Sequence, residues 1–242
     1  MAMIGVLGGM GPAATVDFMG KLVALTPARR DQDHLPVLVA HLPHVPDRSS
    51  HIVGDGPDPM PHLLRGISLL NDARAALIAV PSNTSHHWHG QMQAASAAPV
   101  LHIATICVAR AAVIDAAPVM VLASRGTMRS GFYQRALSAA GIAALAPDER
   151  TQALVDSSIA DVKGAHLSPA VAALGSAILR ARAAGARAVI LGCTELPIAA
   201  QALSDLGVTL IDSTLELARE AVRRAIDAGW QQRDLRDAEV TA

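Results

Sequence analysis

Two stretches of the sequence, "VPSNTSHHWHG" (residues 80–90) and "ILGCTELP" (residues 190–197), share one pattern. In each, an apolar run is followed by a small polar residue, a threonine and the start of a helix. Ser82 holds the position in the first stretch that Cys193 holds in the second. Because the two positions are close to half of the 242-residue chain apart, the spacing predicts an internal repeat.

Short apolar runs alternate with longer amphipathic runs along the chain. The apolar runs include "MIGVLG", "PVLVAH", "AALIAV" and "PVLHIA" in the first half, and "PVMVLAS", "ARAVILG" and "VTLID" in the second. This alternation predicts an α/β fold of parallel sheets flanked by helices. Ligands of such folds bind at the carboxyl ends of the strands. If the two halves pair by a pseudo-two-fold, we expect Ser82 and Cys193 to face each other across a cleft.

The composition excludes several classes of protein. Apolar residues make up 51% of the chain, which is typical of a folded core and argues against disorder. The net charge is −1 and there is no basic stripe, so neither nucleic acid nor an anionic membrane surface is expected as a partner. With only two cysteines, Cys107 and Cys193, a reducing compartment is favoured over a disulfide scaffold.

The uncharged N-terminal segment is interpreted as a buried strand and turn. It lacks a basic stretch, and Gly8, Gly9, Gly11 and Pro12 interrupt it, which is unlike a signal peptide. Every other apolar run is too short to span a bilayer without a charge or a proline. We therefore expect a cytoplasmic protein.

The stretch "GMGPAA" (residues 9–14) matches the loose pattern G-x-G-x-x-A that follows a strand in dinucleotide-binding folds. Such a fold also needs an acidic residue at the end of the second strand, to hold the ribose. That strand ends in His41, and the next acidic residue, Asp47, lies well beyond the usual offset. A tight strand-to-helix turn is therefore favoured, and its N–H groups remain available to a carboxylate.

A histidine-rich segment raises the possibility of a metal site, because imidazole is a common zinc ligand. The segment is "HHWH" (residues 86–89), and further histidines are His41, His44, His51 and His102. The sequence has no matching Cys/His spacing and no HExxH motif. We therefore expect no metal, and expect these histidines to line the mouth of a cleft or to face solvent.

Cys193 is the first candidate for chemistry. It lies at a strand end and at the start of a helix, where the helix N-terminus is expected to lower the thiol pKa. A thiolate there can act as a nucleophile or as a base toward a carbon acid. The alternative is a buried, inert cysteine, but the neighbouring Thr194 and Glu195 favour a function. Cys107 lies in a helical pattern and is predicted to be core.

Two cations are further candidates. Arg48 lies in the loop "PDRSS" (residues 46–50), and Lys163 precedes Gly164. An arginine can hold a carboxylate through two parallel hydrogen bonds, and a lysine adds a point charge. Taken alone, each would be interpreted as a solvated surface residue.

Taken together, the motifs resemble the aspartate/glutamate racemase superfamily and, within it, the cofactor-independent aspartate racemases. The resemblance covers nearly the whole chain through "IGVLGGMGPAATVDF", "TPARRDQDHLPVLV", "PDRSSHIVG", "PSNTSH", "SRGTMRSGFY", "DE" at 148–149, "VKG", "ILGCTELP" and "LIDSTLELA". It implies two similar α/β lobes related by a pseudo-two-fold, with the site between them, and a homodimer. We predict one lobe from residues 1–104 with 210–242, and the other from residues 105–209.

The resemblance also implies roles for residues. In the family, two thiols face opposite sides of the Cα of an acidic amino acid, and the chemistry needs neither pyridoxal phosphate nor a metal. The positions of those thiols match Ser82 and Cys193 here. The positions that bind substrate match Met10, Arg48, Asn83, Thr84, Thr127, Lys163 and Thr194.

The departure from the family is Ser82, because an alkoxide is far harder to form than a thiolate. We therefore expect an asymmetric racemase of aspartate, glutamate or both, in which Cys193 is the base and the L-enantiomer is preferred. The alternatives are a single-thiol decarboxylase or isomerase of a dicarboxylate, and an inactive paralogue that only binds amino acids.

Overall fold

The computed structural model describes residues 2–231 and contains two parallel β-sheets with helices packed on their faces. The strands are β1 (Ile4–Gly8), β2 (Val37–His41), β3 (Leu77–Ala79), β4 (Val119–Leu122), β5 (Ala144–Leu145), β6 (Ala188–Leu191) and β7 (Thr209–Asp212). The first sheet has the order β2-β1-β3 and the second the order β5-β4-β6-β7, and every neighbouring pair is parallel. The predicted α/β fold of two parallel sheets is confirmed.

The two sheets repeat one topology. In each, the first strand is central, the second pairs on one side of it and the third on the other. Beside β3, Ile78 forms a parallel bridge with Val100, in the same place that β7 takes beside β6. Ser82 and Cys193 therefore follow equivalent strands, as the internal repeat in the sequence predicts.

Eleven helices surround the sheets of the described chain. They are α1 (Pro12–Leu25), α2 (Arg48–Val53), α3 (Met60–Asp72), α4 (His89–Ala95), α5 (Ile103–Val113), α6 (Arg125–Ser130), α7 (Phe132–Ala139), α8 (Glu149–Lys163), α9 (Leu167–Ala183), α10 (Leu196–Ala200) and α11 (Ser213–Asp227). Short polar side chains cap the N-termini of several helices. At the start of α8, for example, the Asp148 carboxylate accepts a hydrogen bond from the Thr151 N–H. This cap satisfies an N–H group that has no partner within the helix.

Strands that are apolar on both faces explain the layered arrangement. The sequences "IGVLG", "VMVL" and "AVIL" of β1, β4 and β6 are buried throughout, as expected for parallel strands that carry helices on both sides. One apolar cluster contains side chains of β1, β4 and β6 together with Phe18 of α1, Cys107 of α5 and Leu217 of α11. The lobes thus share a continuous core, and Cys107 is part of it, as predicted.

The strand pairing changes one detail of the predicted lobes. Residues 210–212, which we assigned to the first lobe, belong to β7 and pair with β6 of the second sheet. The helix α11 that follows packs against α1 and α5. The rest of the division into lobes stays a prediction, and its residues 232–242 lie outside the described residues. Across residues 2–231, none of the helices combines the length and the apolar composition needed to cross a membrane.

Candidate active site

The ends of β3 and β6 meet at a small buried chamber between the sheets. Ser82 and Cys193, which are 3% and 8% exposed, both line it. The chamber has a volume of about 30 Å³, which is room for about two water molecules. The other predicted site residues that line it are Met10, Arg48, Asn83, Thr84, Lys163 and Thr194. Among the predicted site residues, Thr127 alone lies behind the wall, where its hydroxyl is 2.8 Å from that of Thr84.

A larger outer chamber of about 410 Å³ adjoins the inner one. The two chambers share five lining residues, which are Met10, Asp47, Arg48, Lys163 and Glu195. These five residues therefore lie where the two chambers adjoin.

The thiol of Cys193 is paired with a carboxylate. Its Sγ donates to Oε2 of Glu195 at 3.0 Å, and the Thr194 hydroxyl donates to the same oxygen at 3.3 Å. Burial, and then the neighbouring Glu195, raise the pKa of Cys193 well above its usual value, while Lys163 opposes them in part. The thiol is therefore protonated in the ligand-free protein.

This result is opposite to the expectation that a helix N-terminus lowers the pKa of Cys193. The following helix, α10, begins only at Leu196 and has five residues. Its dipole is too small to outweigh the loss of hydration and the adjacent negative charge. A base at this position therefore needs a partner that accepts the thiol proton, and Glu195 is in place to do so.

The opposite wall consists of hydroxyl groups. The Ser82 Oγ is 2.8 Å from the Oγ of Ser85, which donates to the Met10 sulfur at 3.6 Å. Within residues 2–231, the Ser82 hydroxyl has no hydrogen bond to an ionisable side chain. Nearby, the Thr84 hydroxyl contacts those of Thr127 and Ser124, at 2.8 and 3.0 Å. The two walls of the chamber are thus chemically unequal.

Arg48 is held by backbone but keeps an unused donor. Its guanidinium donates to the carbonyl oxygens of Val45, Pro46 and Met10, at 3.1–3.3 Å. Its Nε is buried without a partner among the described residues. Burial lowers the pKa of this guanidinium from its usual value, which reflects the cost of the buried charge. A ligand carboxylate at Nε would accept the hydrogen bond that Nε can donate and would balance the positive charge of the guanidinium.

Lys163 reaches the chamber from the end of α8. Its Nζ lies 3.8 Å from Oδ2 of Asp47, at the start of α2. Beside this pair, Ser49 of α2 donates to the Ser124 hydroxyl at 3.0 Å. The short helix α2 is thereby tied to α6 and α8 and forms part of the chamber wall.

The glycine-rich turn after β1 forms another part of the wall. Gly9 has a φ of 93°, and a Cβ there would lie 2.5 Å from the backbone of Leu42. Its N–H donates to the Thr15 hydroxyl at 2.8 Å, so the turn is stabilised from within the chain. The adjacent Gly11 lies against Glu195. The segment is therefore a tight strand-to-helix turn, as interpreted from the sequence.

The histidine-rich segment matches our expectation only in part, because His87 is exposed but His86 is not. His86 is buried directly behind Ser82, with Nδ1 at 2.9 Å from the Ser82 carbonyl oxygen and Nε2 at 3.2 Å from that of Leu101. Burial, with the neighbouring His102, lowers the pKa of His86 to about 3. The ring therefore supports the Ser82 turn and does not line a cleft mouth. Among residues 2–231, no group of three or more His, Cys, Asp or Glu is arranged to hold a metal.

Several residues at the chamber are not among those predicted for the site. Glu195 follows Cys193 closely in the sequence, but this proximity by itself indicates no role. Ser124 follows β4, the equivalent of β1 in the internal repeat, and this equivalence is the signal that would have found it. Asp47 lies within a stretch already singled out, but nothing in its spacing indicates that it reaches the chamber. Ser85 contacts the Ser82 hydroxyl and does not itself line the chamber.

Comparison with known proteins identifies the family. The family described as Asp/Glu/hydantoin racemase matches residues 7–221. The chain belongs to this family of isomerases. A broad specificity amino-acid racemase, RacX of Bacillus subtilis strain 168, is 28% identical over 226 residues, which cover 91% of this chain and 96% of that protein.

Solved structures of the racemase family share the fold. The Picrophilus torridus aspartate racemase has a TM-score of 0.84 at 28% identity, over 97% of this chain and 96% of that one. A glutamate racemase from Francisella tularensis in complex with D-glutamate has a TM-score of 0.69 at 16% identity, over 96% and 84% of the two chains. The second similarity concerns the fold alone.

Proposed function

We propose that the protein is a cofactor-independent racemase of aspartate, glutamate or both, and that it prefers the L-enantiomer. The observation that carries this proposal is the composition of the inner chamber. A thiol–carboxylate pair on one wall faces hydroxyl groups on the other, beside an arginine with an unused Nε. The relatives named as aspartate racemase and as broad specificity amino-acid racemase support an amino-acid substrate.

The polar groups of the chamber suggest how the substrate is held. The α-carboxylate and the amino group would contact Asn83, Thr84 and Thr194, with Thr127 holding the Thr84 hydroxyl from behind. A side-chain carboxylate would pair with the Arg48 Nε and with Lys163. Met10 would form the remaining wall. The substrate would displace the few waters of the chamber, so these hydrogen bonds would act in a water-poor site.

Proton transfer would begin with the paired groups. The Cys193 Sγ–H bond breaks and its proton passes to Oε2 of Glu195, which leaves a thiolate and a carboxylic acid. The thiolate then takes the Cα proton of the L-enantiomer, and the electron pair remains on the substrate as a carbanion. Delivery of a proton from Ser82 to the opposite face gives the D-enantiomer. The proton held by Glu195 then passes to solvent, and solvent returns a proton to Ser82, which restores all three groups.

The unequal walls predict unequal rates in the two directions. A hydroxyl group without a basic partner is a poor base, so proton abstraction from the D-enantiomer by Ser82 should be slow. The same asymmetry also suits a single-thiol decarboxylase, in which one face of an enolate is protonated. Release of CO2 from a substituted malonate would distinguish that second candidate.

Hydrogen exchange at Cα tests the proposed reaction. The protein is incubated in D2O with each enantiomer of aspartate and glutamate, and Cα–H loss is followed by proton NMR. We expect exchange of L-aspartate or L-glutamate, with slower exchange of the D-enantiomer. Absence of exchange with all four compounds would contradict the proposal. We further propose a cytoplasmic homodimer, and light scattering after size-exclusion chromatography checks the dimer.

A further inference from the structure

A buried chain of hydrogen bonds runs behind the inner chamber. The Tyr133 hydroxyl donates to the Asn83 Oδ1 at 2.6 Å, and the Asn83 Nδ2 donates to the Ser213 Oγ at 2.9 Å. The Ser213 hydroxyl in turn donates to the carbonyl oxygen of Leu191 at 2.7 Å. Tyr133 and Ser213 are fully buried, and neither lines either chamber.

The chain connects the two strand ends that carry the chemistry. Asn83 is the residue after Ser82, and Leu191 is the last residue of β6, two positions before Cys193. The Tyr133 ring makes a second connection, because a Cβ added to Gly192 would lie 3.3 Å from its Cε2. Tyr133 therefore packs under the backbone next to Cys193 and binds the side chain next to Ser82.

The direction of each bond also fixes the orientation of the Asn83 amide. Its oxygen accepts from Tyr133 and its nitrogen donates to Ser213. An asparagine amide has a second N–H, and because Asn83 lines the chamber this hydrogen is left for a substrate carboxylate. Burial raises the pKa of Tyr133 well above its usual value, so the phenol remains a donor throughout the neutral pH range.

We propose that Tyr133 and Ser213 are positioning residues, which hold Asn83 and Ser82 in register with Cys193. The inference rests on the proposed function for its catalytic consequence. Without either partner the Asn83 amide can rotate, which would present its oxygen to the substrate carboxylate in place of its N–H. Loss of a buried hydrogen bond of this kind is expected to slow the reaction by about 10- to 100-fold.

Four variants test the role of the chain. Tyr133→Phe keeps the ring against Gly192 but removes the donor, and Ser213→Ala removes the link to Leu191. Ser213→Thr keeps the hydroxyl. Cys107→Ala is the matched control, because Cys107 contacts the same Tyr133 hydroxyl, at 3.7 Å, but does not contact Asn83.

The first measurement is Cα exchange of L-aspartate in D2O, at a temperature where thermal unfolding finds every variant folded. We expect about 10- to 100-fold losses for Tyr133→Phe and Ser213→Ala, recovery in Ser213→Thr, and at most a twofold loss in Cys107→Ala. Because both residues act through Asn83, the exchange rate of the double variant should be no lower than that of the slower single variant. Rates within twofold of the wild type in folded Tyr133→Phe and Ser213→Ala, or losses that multiply in the double variant, would overturn the proposal.

A second measurement does not depend on turnover. In nitrogen–proton NMR spectra, Tyr133→Phe should shift the side-chain amide signals of Asn83 and the backbone signal of Ser82. If these signals stay in place, the positioning role is refuted. If the wild-type protein exchanges neither enantiomer, the proposed racemase function fails, and the signals alone decide whether Tyr133 positions Asn83.

Discussion

Replacing Glu195 with glutamine should make the Cys193 thiol react faster with an alkylating reagent but should slow Cα exchange of the substrate. The Cys193 Sγ and the Glu195 Oε2 are 3.0 Å apart. At an effective dielectric constant of about 20, two unit charges at this distance repel by roughly 5 kcal/mol, which is an upper bound on the effect. Relaxation and the opposing charge of Lys163 reduce this repulsion, but its sign is unchanged, so we expect Glu195→Gln to lower the pKa of Cys193.

The first consequence concerns reactivity without substrate. A lower pKa increases the thiolate fraction at pH 8, and only part of this gain is offset by the lower nucleophilicity of a less basic thiolate. Alkylation by iodoacetamide should therefore become about threefold or more faster. The assay follows the mass of the intact protein over time. It is carried out in a Cys107→Ala background, so that Cys193 is the thiol being measured.

The second consequence concerns turnover. If Glu195 accepts the thiol proton, its loss should slow Cα exchange of L-aspartate by about 100-fold or more, although the thiolate is more abundant. Faster alkylation combined with unchanged exchange would show that Glu195 only perturbs the pKa. Slower alkylation would refute the electrostatic argument itself.

Three further predictions concern the walls of the site. Ser82→Cys should increase Cα exchange of the D-enantiomer by about tenfold or more, because a thiol is a stronger acid than a hydroxyl and matches Cys193. Gly126→Ala should lower the free energy of unfolding by about 1–3 kcal/mol, measured by thermal unfolding, because its Cβ would lie 2.6 Å from the Ser49 Cα. The pKa of His86 is about 3 in the folded protein and about 6.5 in the unfolded chain. Below pH 6.5 the unfolded chain therefore binds a proton that the folded protein does not, so the free energy of unfolding is highest above pH 6.5 and decreases toward pH 3. Urea unfolding should detect a loss of about 2 kcal/mol between pH 7.5 and pH 5, which a His86→Asn variant should lack.

Much of the fold was predictable because local hydrophobic patterns in the sequence mark its strands and helices. Strands such as β4 and β6 are short apolar runs that are buried on both faces, and each is followed by an amphipathic helix. The repeated motifs around Ser82 and Cys193 then follow equivalent strands. Lining residues as distant in sequence as Arg48 and Lys163 meet at the chamber, but their meeting was implied by the family resemblance and not by spacing.

The protonation state of the site was not predictable from the sequence. The motif "GCTELP" indicated a helix N-terminus, but the pKa of Cys193 depends on its burial and on the rotamer that brings Glu195 to 3.0 Å. Similarly, "HHWH" contains no information on which ring turns inward, and His86 proved to be buried behind Ser82. These properties come from tertiary packing, which combines segments that are far apart in the chain.

In the proposed reaction, Cys193 is the base that takes the Cα proton of the L-enantiomer. The direct measurement is Cα exchange of L-aspartate in D2O by the wild type, Cys193→Ala and the control Cys107→Ala. We predict exchange by the wild type and by Cys107→Ala, and a loss of at least about 1000-fold in Cys193→Ala. Exchange by folded Cys193→Ala at a rate near that of the wild type would contradict the central claim.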